Sequence, residues 1–240
     1  MLFFYVRHGE PIYDPDSLTP FGERQAEAIG KRLSIHGVDK VFTSTSTRAI
    51  QTGQPLCDIL RLTAERLDFA HEDHAFRDFA AVNDEGRRTW AFCIPRYIDA
   101  FTSPDVRALG DRWFDYPEFK NDNFEAGMKR IYDEADAFFS TLGYEHERYT
   151  GRYKITKPND DRIAMFAHSG FGCAFMSAIL DIPYPQMATH FEMQHCGLTV
   201  IDFRSKGEYA LPVVLTYSND GHLYKEGLPT RYNGRKRIVY

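Results

Sequence analysis

Long apolar runs are missing from this sequence. Nothing approaches the roughly 18 consecutive apolar residues of a membrane span. The apolar opening, residues 1–6, is far too short for one and lacks the basic leader of a secretory signal. Cysteine is scarce: Cys57, Cys93, Cys173 and Cys196 are widely spread, with no C-x-x-C pair. That spacing argues against a disulfide frame or a zinc knuckle and reads as free thiols in a reducing compartment. An excess of positive charge is also absent. The net charge of −5 argues against nucleic-acid or membrane-surface partners, because both need a basic face. An anionic ligand must then be held locally, by a few placed arginines. No repeat, low-complexity tract or linker interrupts the 240 residues. The expectation is a soluble cytoplasmic protein forming one domain over residues 1–240, with no heptad or patch that specifies an oligomeric state.

What is present is an alternation of short apolar strands and amphipathic helices. Residues 2–6 are continuously apolar and stop at Arg7-His8-Gly9-Glu10, as expected of a strand buried on both faces of a parallel sheet. Thr19-Pro20 supplies a helix N-cap followed by proline at the first helical position, and Gly37 ends that helix. A strand over 38–43 and a helix over 47–60 complete a βαβα unit, with a right-handed crossover expected. The period is lost between residues 67 and 120. A helix is expected over 123–142, a polar loop over 144–161, and a third buried strand over 162–167. That strand ends at His168-Ser169-Gly170, with a helix following over 171–180. Strands over 197–203 and 212–217 finish the sheet. Two strands thus end in a histidine, and open α/β sheets bind ligands beyond the carboxyl ends of their strands.

Arg7-His8-Gly9 carries the chemistry of phosphoryl transfer. An imidazole is largely unprotonated near neutrality and can act as a nucleophile. The planar fork of an arginine suits phosphate oxygens, and Gly9 is expected to let the backbone approach the anion. Arg48 opens a helix after a Ser/Thr run, and helix N-termini favour anions.

These blocks resemble the histidine phosphatase (phosphoglycerate-mutase-like) superfamily. The resemblance is carried by Arg7-His8-Gly9-Glu10, by Leu18-Thr19-Pro20-Phe21-Gly22-Glu23-Arg24-Gln25-Ala26, and by the run from Val41 to Thr52 around Arg48. Ala167-His168-Ser169-Gly170 and Ser218-Asn219-Asp220-Gly221-His222-Leu223 complete it, so that residues 1–60 and 160–225 are covered. It implies a three-layer α/β/α sandwich with a mostly parallel central sheet and an inserted helical cap, placed at about 68–160. It also implies His8 as the nucleophile that becomes phosphohistidine. Arg7 and Arg48 would bind phosphate, and His168 would donate to the phosphoryl group.

The family's general acid falls about two dozen residues after the second arginine. Glu72 lies 24 residues after Arg48, with Asp73 and Glu65 as alternatives. Ser169 and His195 are further phosphate-binding candidates, although a structural role fits His195 equally. Glu10 is followed by Pro11 where relatives more often have serine or threonine. His222 reads mainly as structural. His71 and His74 are three apart without supporting ligands, so neither a metal nor another cofactor is expected.

The reading that follows is a metal-independent phosphatase acting on a small phosphorylated substrate. The alternatives are a mutase of the bisphosphoglycerate-dependent type, faintly suggested by Arg87-Arg88, and a non-catalytic protein that binds a phosphorylated ligand. Within the cap, Arg77, Arg87, Arg88, Trp90, Arg96, Tyr97, Arg107, Arg112 and Trp113 are the candidates for reading the leaving group. The basic tail over 231–237 reads as a solvated terminus.

Overall fold

A computed structural model describes residues 1–232. The first strand, β1 (Leu2–Arg7), shows why its sequence is apolar throughout. Phe3 and Tyr5 enter one core, while Phe4 and Val6 enter a second core on the other face of the sheet. A short hairpin follows, β2 (Pro11–Tyr13) and β3 (Asp16–Leu18), which the sequence did not announce. Helix α1 (Pro20–His36) starts as expected: Thr19 Oγ1 accepts the Gly22 N–H at 3.0 Å. Next come β4 (Lys40–Ser44), α2 (Thr47–Leu60) and β5 (Glu65–Leu67).

The irregular middle contains α3 (Glu72–Phe79), the small hairpin β6 (Ala80–Val82) and β7 (Arg88–Trp90), then α4 (Pro95–Thr102), α5 (Pro104–Leu109) and several single 3-10 turns. Aromatic rings fill its interior: Trp113 is buried among Phe101, Phe119, Phe124 and Tyr184.

Part of the stretch expected as a cap, 68–160, packs into the central layers. Helix α6 (Phe124–Thr141) lies on the central sheet, where Phe138 and Phe139 meet Phe3 edge-on and Phe138 also meets Phe42. The segment expected to be a polar loop over 144–161 instead forms strands β8 (Tyr144–Glu147) and β9 (Arg152–Ile155) at the sheet edge. Tyr144 and Tyr153 are buried there against Phe203, an anchoring that local polarity conceals.

The chain then forms β10 (Arg162–Ala167), α7 (Ser169–Leu180), α8 (Tyr184–His190), β11 (Leu198–Lys206), β12 (Tyr209–Asn219) and α9 (Gly221–Lys225). The eight-stranded sheet runs β5-β4-β10-β1-β11-β12-β9-β8. The expected parallel arrangement holds from β5 to β1. Beyond β1 every neighbouring pair is antiparallel, so the sheet is mixed. The reason is connectivity. β12 follows β11 in a hairpin, as β9 follows β8, and a hairpin joins antiparallel strands without the crossover helix that parallel strands need. Helices α1 and α2 cover one face, α6 and α7 the other, giving the three-layer α/β class.

Candidate active site

The register of three parallel strands assembles the site. Arg7 of β1 pairs with Ala167 of β10, so His8 and His168 leave adjacent strands at the same level. The His8 N–H donates to the Ala167 carbonyl at 2.9 Å, and the two imidazole centres lie 5.1 Å apart. On the other side of β10, Phe166 pairs with Thr43 of β4, which brings Ser44 and Ser46 beside His168.

The hydrogen bonds fix the role of each ring nitrogen. His8 Nδ1 lies 2.7 Å from the Gly9 carbonyl, which can only accept. Nδ1 therefore carries the proton, and Nε2 keeps its lone pair for attack. Burial first, then His168 and Arg7, hold the His8 pKa well below its usual value, so the ring stays neutral and nucleophilic into acid pH. At His168, Arg48 Nη2 lies 3.2 Å from Nδ1, and because a guanidinium only donates, Nδ1 is the acceptor. Its proton is then on Nε2, 2.8 Å from Ser44 Oγ. Burial and neighbouring positive charge keep His168 neutral.

The single N–H of His168 faces Ser44, and the fully buried ring is not among the residues lining the cavity. The ring thus meets Arg48 on one side and Ser44 on the other.

Arg48 is held from a second side by Asp16, whose Oδ1 accepts from Nη1 at 2.7 Å while Oδ2 accepts the Thr47 N–H at the start of α2. The expected anion position at that helix start is thus taken by a carboxylate of the hairpin. The Arg48 Nε, buried, has no partner among the described residues. Arg7 donates from Nη1 to the Met193 carbonyl at 2.5 Å and from Nη2 to His195 Nε2 at 2.8 Å. Burial and then Arg7 push His195 down to about 3, so it is a neutral acceptor. His195 is absent from the cavity lining and contacts Arg7 instead.

Glu72 opens α3 and reaches the start of α7. Its Oε1 accepts the Gly170 N–H at 3.0 Å and its Oε2 the Phe171 N–H at 2.9 Å. Those bonds and the nearby arginines favour the carboxylate, but burial outweighs them and raises its pKa. Of the alternatives, Asp73 lines the cavity but is exposed, and Glu65 lies in β5 away from it.

The expected role of Gly9 also changes. A Cβ there would stand 2.7 Å from the Gly22 carbonyl oxygen of α1, and the Gly9 N–H is spent on Thr52 Oγ1 at 2.9 Å. Gly9 makes room for a helix, not for an anion.

These groups sit at one cavity of about 1010 Å³ lined by Arg7, His8, Arg48, Glu72 and Ser169, together with His71, whose ring lies 6.2 Å from that of His168. Sequence reasoning missed Asp16 and His71 as site residues; both depend on loops that carry no periodic signal. Glu10 is held by Arg231 at 2.6 Å and lies outside the lining. His222 packs 3.2 Å from Arg32, also outside it. Of the nine cap candidates, Trp90 alone lines the cavity. Residues 233–237 of the basic tail lie outside the described residues. Among the described residues no helix is long and apolar enough to cross a membrane. No group of three His, Cys, Asp or Glu among them could hold a metal.

Residues 3–94, which carry His8, Arg48 and Glu72, match the family model described as the histidine phosphatase superfamily, branch 1. That match ties this stretch of the chain to the histidine phosphatase superfamily. Solved structures of similar fold include phosphatases. The mycobacterial glucosyl-3-phosphoglycerate phosphatase aligns with a TM-score of 0.58 at 16% identity, over 91% of this chain and 99% of that one. Phosphoserine phosphatase from Entamoeba histolytica gives 0.58 at 14%, over 92% and 98%. Alpha-ribazole phosphatase from Shigella flexneri gives 0.56 at 16%, over 91% and 96%. At such identities these likenesses bear on the fold alone. Comparison with curated protein sequences finds no significant match.

Proposed function

We propose that this protein is a phosphomonoesterase of the histidine phosphatase superfamily that works through a phosphohistidine on His8. The observation that carries the reading is the convergence of a neutral buried imidazole, two oriented guanidinium groups and a carboxyl of raised pKa at one cavity. The His8 Nε2 lone pair attacks phosphorus as the bond to the leaving oxygen breaks. Arg7 and Arg48 take the charge of the equatorial oxygens, and Glu72 passes its proton to the departing alkoxide. Water then attacks phosphorus and gives a proton back to Glu72. The P–N bond breaks, which returns the lone pair to His8 and releases phosphate.

Positive charge around the phosphoryl group comes from arginine in this scheme, so turnover should persist in EDTA. The test is hydrolysis of an aryl phosphate in EDTA by wild type and His8→Ala, with acid-stable and acid-labile protein-bound phosphate measured after a rapid quench. Loss of turnover and of the acid-labile phosphate in His8→Ala supports the scheme. Equal turnover in both proteins sinks it.

A mutase has less support. It needs cations for a second phosphate, and the Arg87–Arg88 pair does not line the cavity: Arg87 pairs with Glu85, and Arg88 donates to the Arg77 carbonyl at 2.7 Å.

A further inference from the structure

The wall of the cavity differs sharply from its base, and that difference bears on what the phosphate is attached to. Resting on the phosphatase reading, we infer that the leaving group is an uncharged or cationic alcohol or phenol with an extended apolar surface, packed on Trp90 and Phe92, and that a second anionic group is refused.

Charge gives the first argument. Among the described lining residues, Arg7 and Arg48 are the two with a permanent positive charge. Both are already committed to the phosphoryl position, Arg48 by Asp16 and His168, Arg7 by Met193 and His195. On the same surface Asp16 is paired with Arg48, Glu72 is the proton donor of the scheme, and Asp73 presents an exposed carboxyl. Arg107 reaches the cavity only through His190, 3.3 Å from its Nη2. A carboxylate or second phosphate on the leaving group would therefore meet no permanent cation of the described lining outside the phosphoryl position, which costs affinity where the group is desolvated.

Shape gives the second. The Trp90 and Phe92 rings stack with centroids 5.4 Å apart and planes 12° from parallel, and Phe76 meets Trp90 edge-on at 5.2 Å. All three line the cavity, as do Ile98 and the edge-on pair of Phe191 and Tyr217. The Trp90 indole is fixed close to the phosphate end. Its ring atoms occupy the space where a Cβ on Gly170 would stand, 2.2 Å from that position, and the Gly170 N–H holds Glu72. An apolar group laid on this indole would thus have its ester oxygen near the Glu72 carboxyl. The volume of about 1010 Å³ is at the upper end of what drug-sized ligands occupy. A three-carbon glycerate would leave most of it to water.

The test compares kcat/KM for four esters: phenyl phosphate, 4-carboxyphenyl phosphate, 1-naphthyl phosphate and 3-phosphoglycerate. The first two have leaving groups of similar basicity, so their ratio reads the added charge. We expect the carboxylate to lower kcat/KM by about tenfold or more, the scale of one mismatched contact. Naphthyl should exceed phenyl, and 3-phosphoglycerate should be the poorest substrate. Trp90→Ala and, separately, Phe92→Ala should abolish the naphthyl advantage, bringing the naphthyl-to-phenyl ratio of kcat/KM to about one.

Equal rates for phenyl and 4-carboxyphenyl phosphate, or a preference for 3-phosphoglycerate, would overturn this inference and leave the phosphatase reading standing. Hydrolysis of none of the four would overturn both. The wild-type comparison decides the matter even if either variant fails to fold.

Discussion

Each charged residue of the site is set by what its neighbours can donate or accept. Glu72 combines burial, which raises its pKa, with two N–H bonds that oppose the rise. His8 is held neutral far below its usual range. The protonated acid and the neutral nucleophile therefore coexist between the lowered His8 pKa and the raised Glu72 pKa. Activity should fall as pH rises through the Glu72 pKa, while the acid limb set by His8 lies far lower. A kcat/KM profile should lose its alkaline limb in Glu72→Gln, with alkyl esters slowed by about 10²-fold or more and good aryl leaving groups much less. An unchanged limb in the variant would remove Glu72 from the role. His168→Ala should act through Arg48, raising KM and lowering kcat/KM by about 10²-fold, the cost of a misplaced binding group, without shifting the pH profile. Gly9→Ala forces a Cβ against the Gly22 backbone. It should cost about 1–3 kcal/mol as overpacking, read as a lowered Tm.

At the scale of elements, one buried cluster ties the edge strands to the helices that carry the site. The His146 side chain in β8 is fully buried, with Nε2 3.1 Å from Asp181 Oδ2 at the end of α7 and Nδ1 3.3 Å from Asp136 Oδ1 on α6. The ring stacks on Tyr153 with centroids 4.1 Å apart, and Arg148 joins the same two carboxylates. Burial works to lower the His146 pKa, but the bonds to Asp136 and Asp181 outweigh it and the net direction is up. A raised pKa in the folded state means that the protonated ring stabilises the fold below its unfolded value near 6.5. That contribution disappears as pH climbs through the folded value. His146→Ala should cost about 3 kcal/mol at mildly acid pH, the low end for breaking a buried pair because Arg148 remains. The deficit measured by denaturant unfolding should shrink at higher pH; a deficit that grows with pH would refute the protonated cluster.

At the scale of the whole molecule, the sheet divides the labour. Its parallel half, β5 to β1, delivers the residues proposed to handle phosphate at the carboxyl ends of β1, β10 and β4, while its antiparallel half supplies the wall through Tyr217 of β12. The segment centred on α3 and β7 supplies Glu72, Phe76 and Trp90. A second phosphate-binding cluster is absent from the described cavity lining. No isomerisation of 3-phosphoglycerate should therefore appear in 31P NMR, with or without a bisphosphoglycerate primer. Primer-dependent formation of the 2-phospho isomer would favour the mutase.

That Arg7, His8 and Arg48 would sit at strand ends and a helix start was legible in the sequence, because these are local events. An apolar run that stops at Arg7-His8, another that stops at His168, and a helix opening at Arg48 each announce themselves within a few residues. The parallel β1–β10 pairing then only had to bring them level. Glu72 was found through family spacing, and its burial against α7 came from the fold. The rest depends on partners distant in the chain. Asp16 meets Arg48 across 32 residues, and Arg7 meets His195 across 188. Which ring nitrogen of His168 carries its proton is decided by Arg48 and Ser44 across more than a hundred residues. A pattern read along the chain encodes which face a side chain takes, but the partner it meets is set by sheet order and register, and these exist only once the tertiary structure has formed.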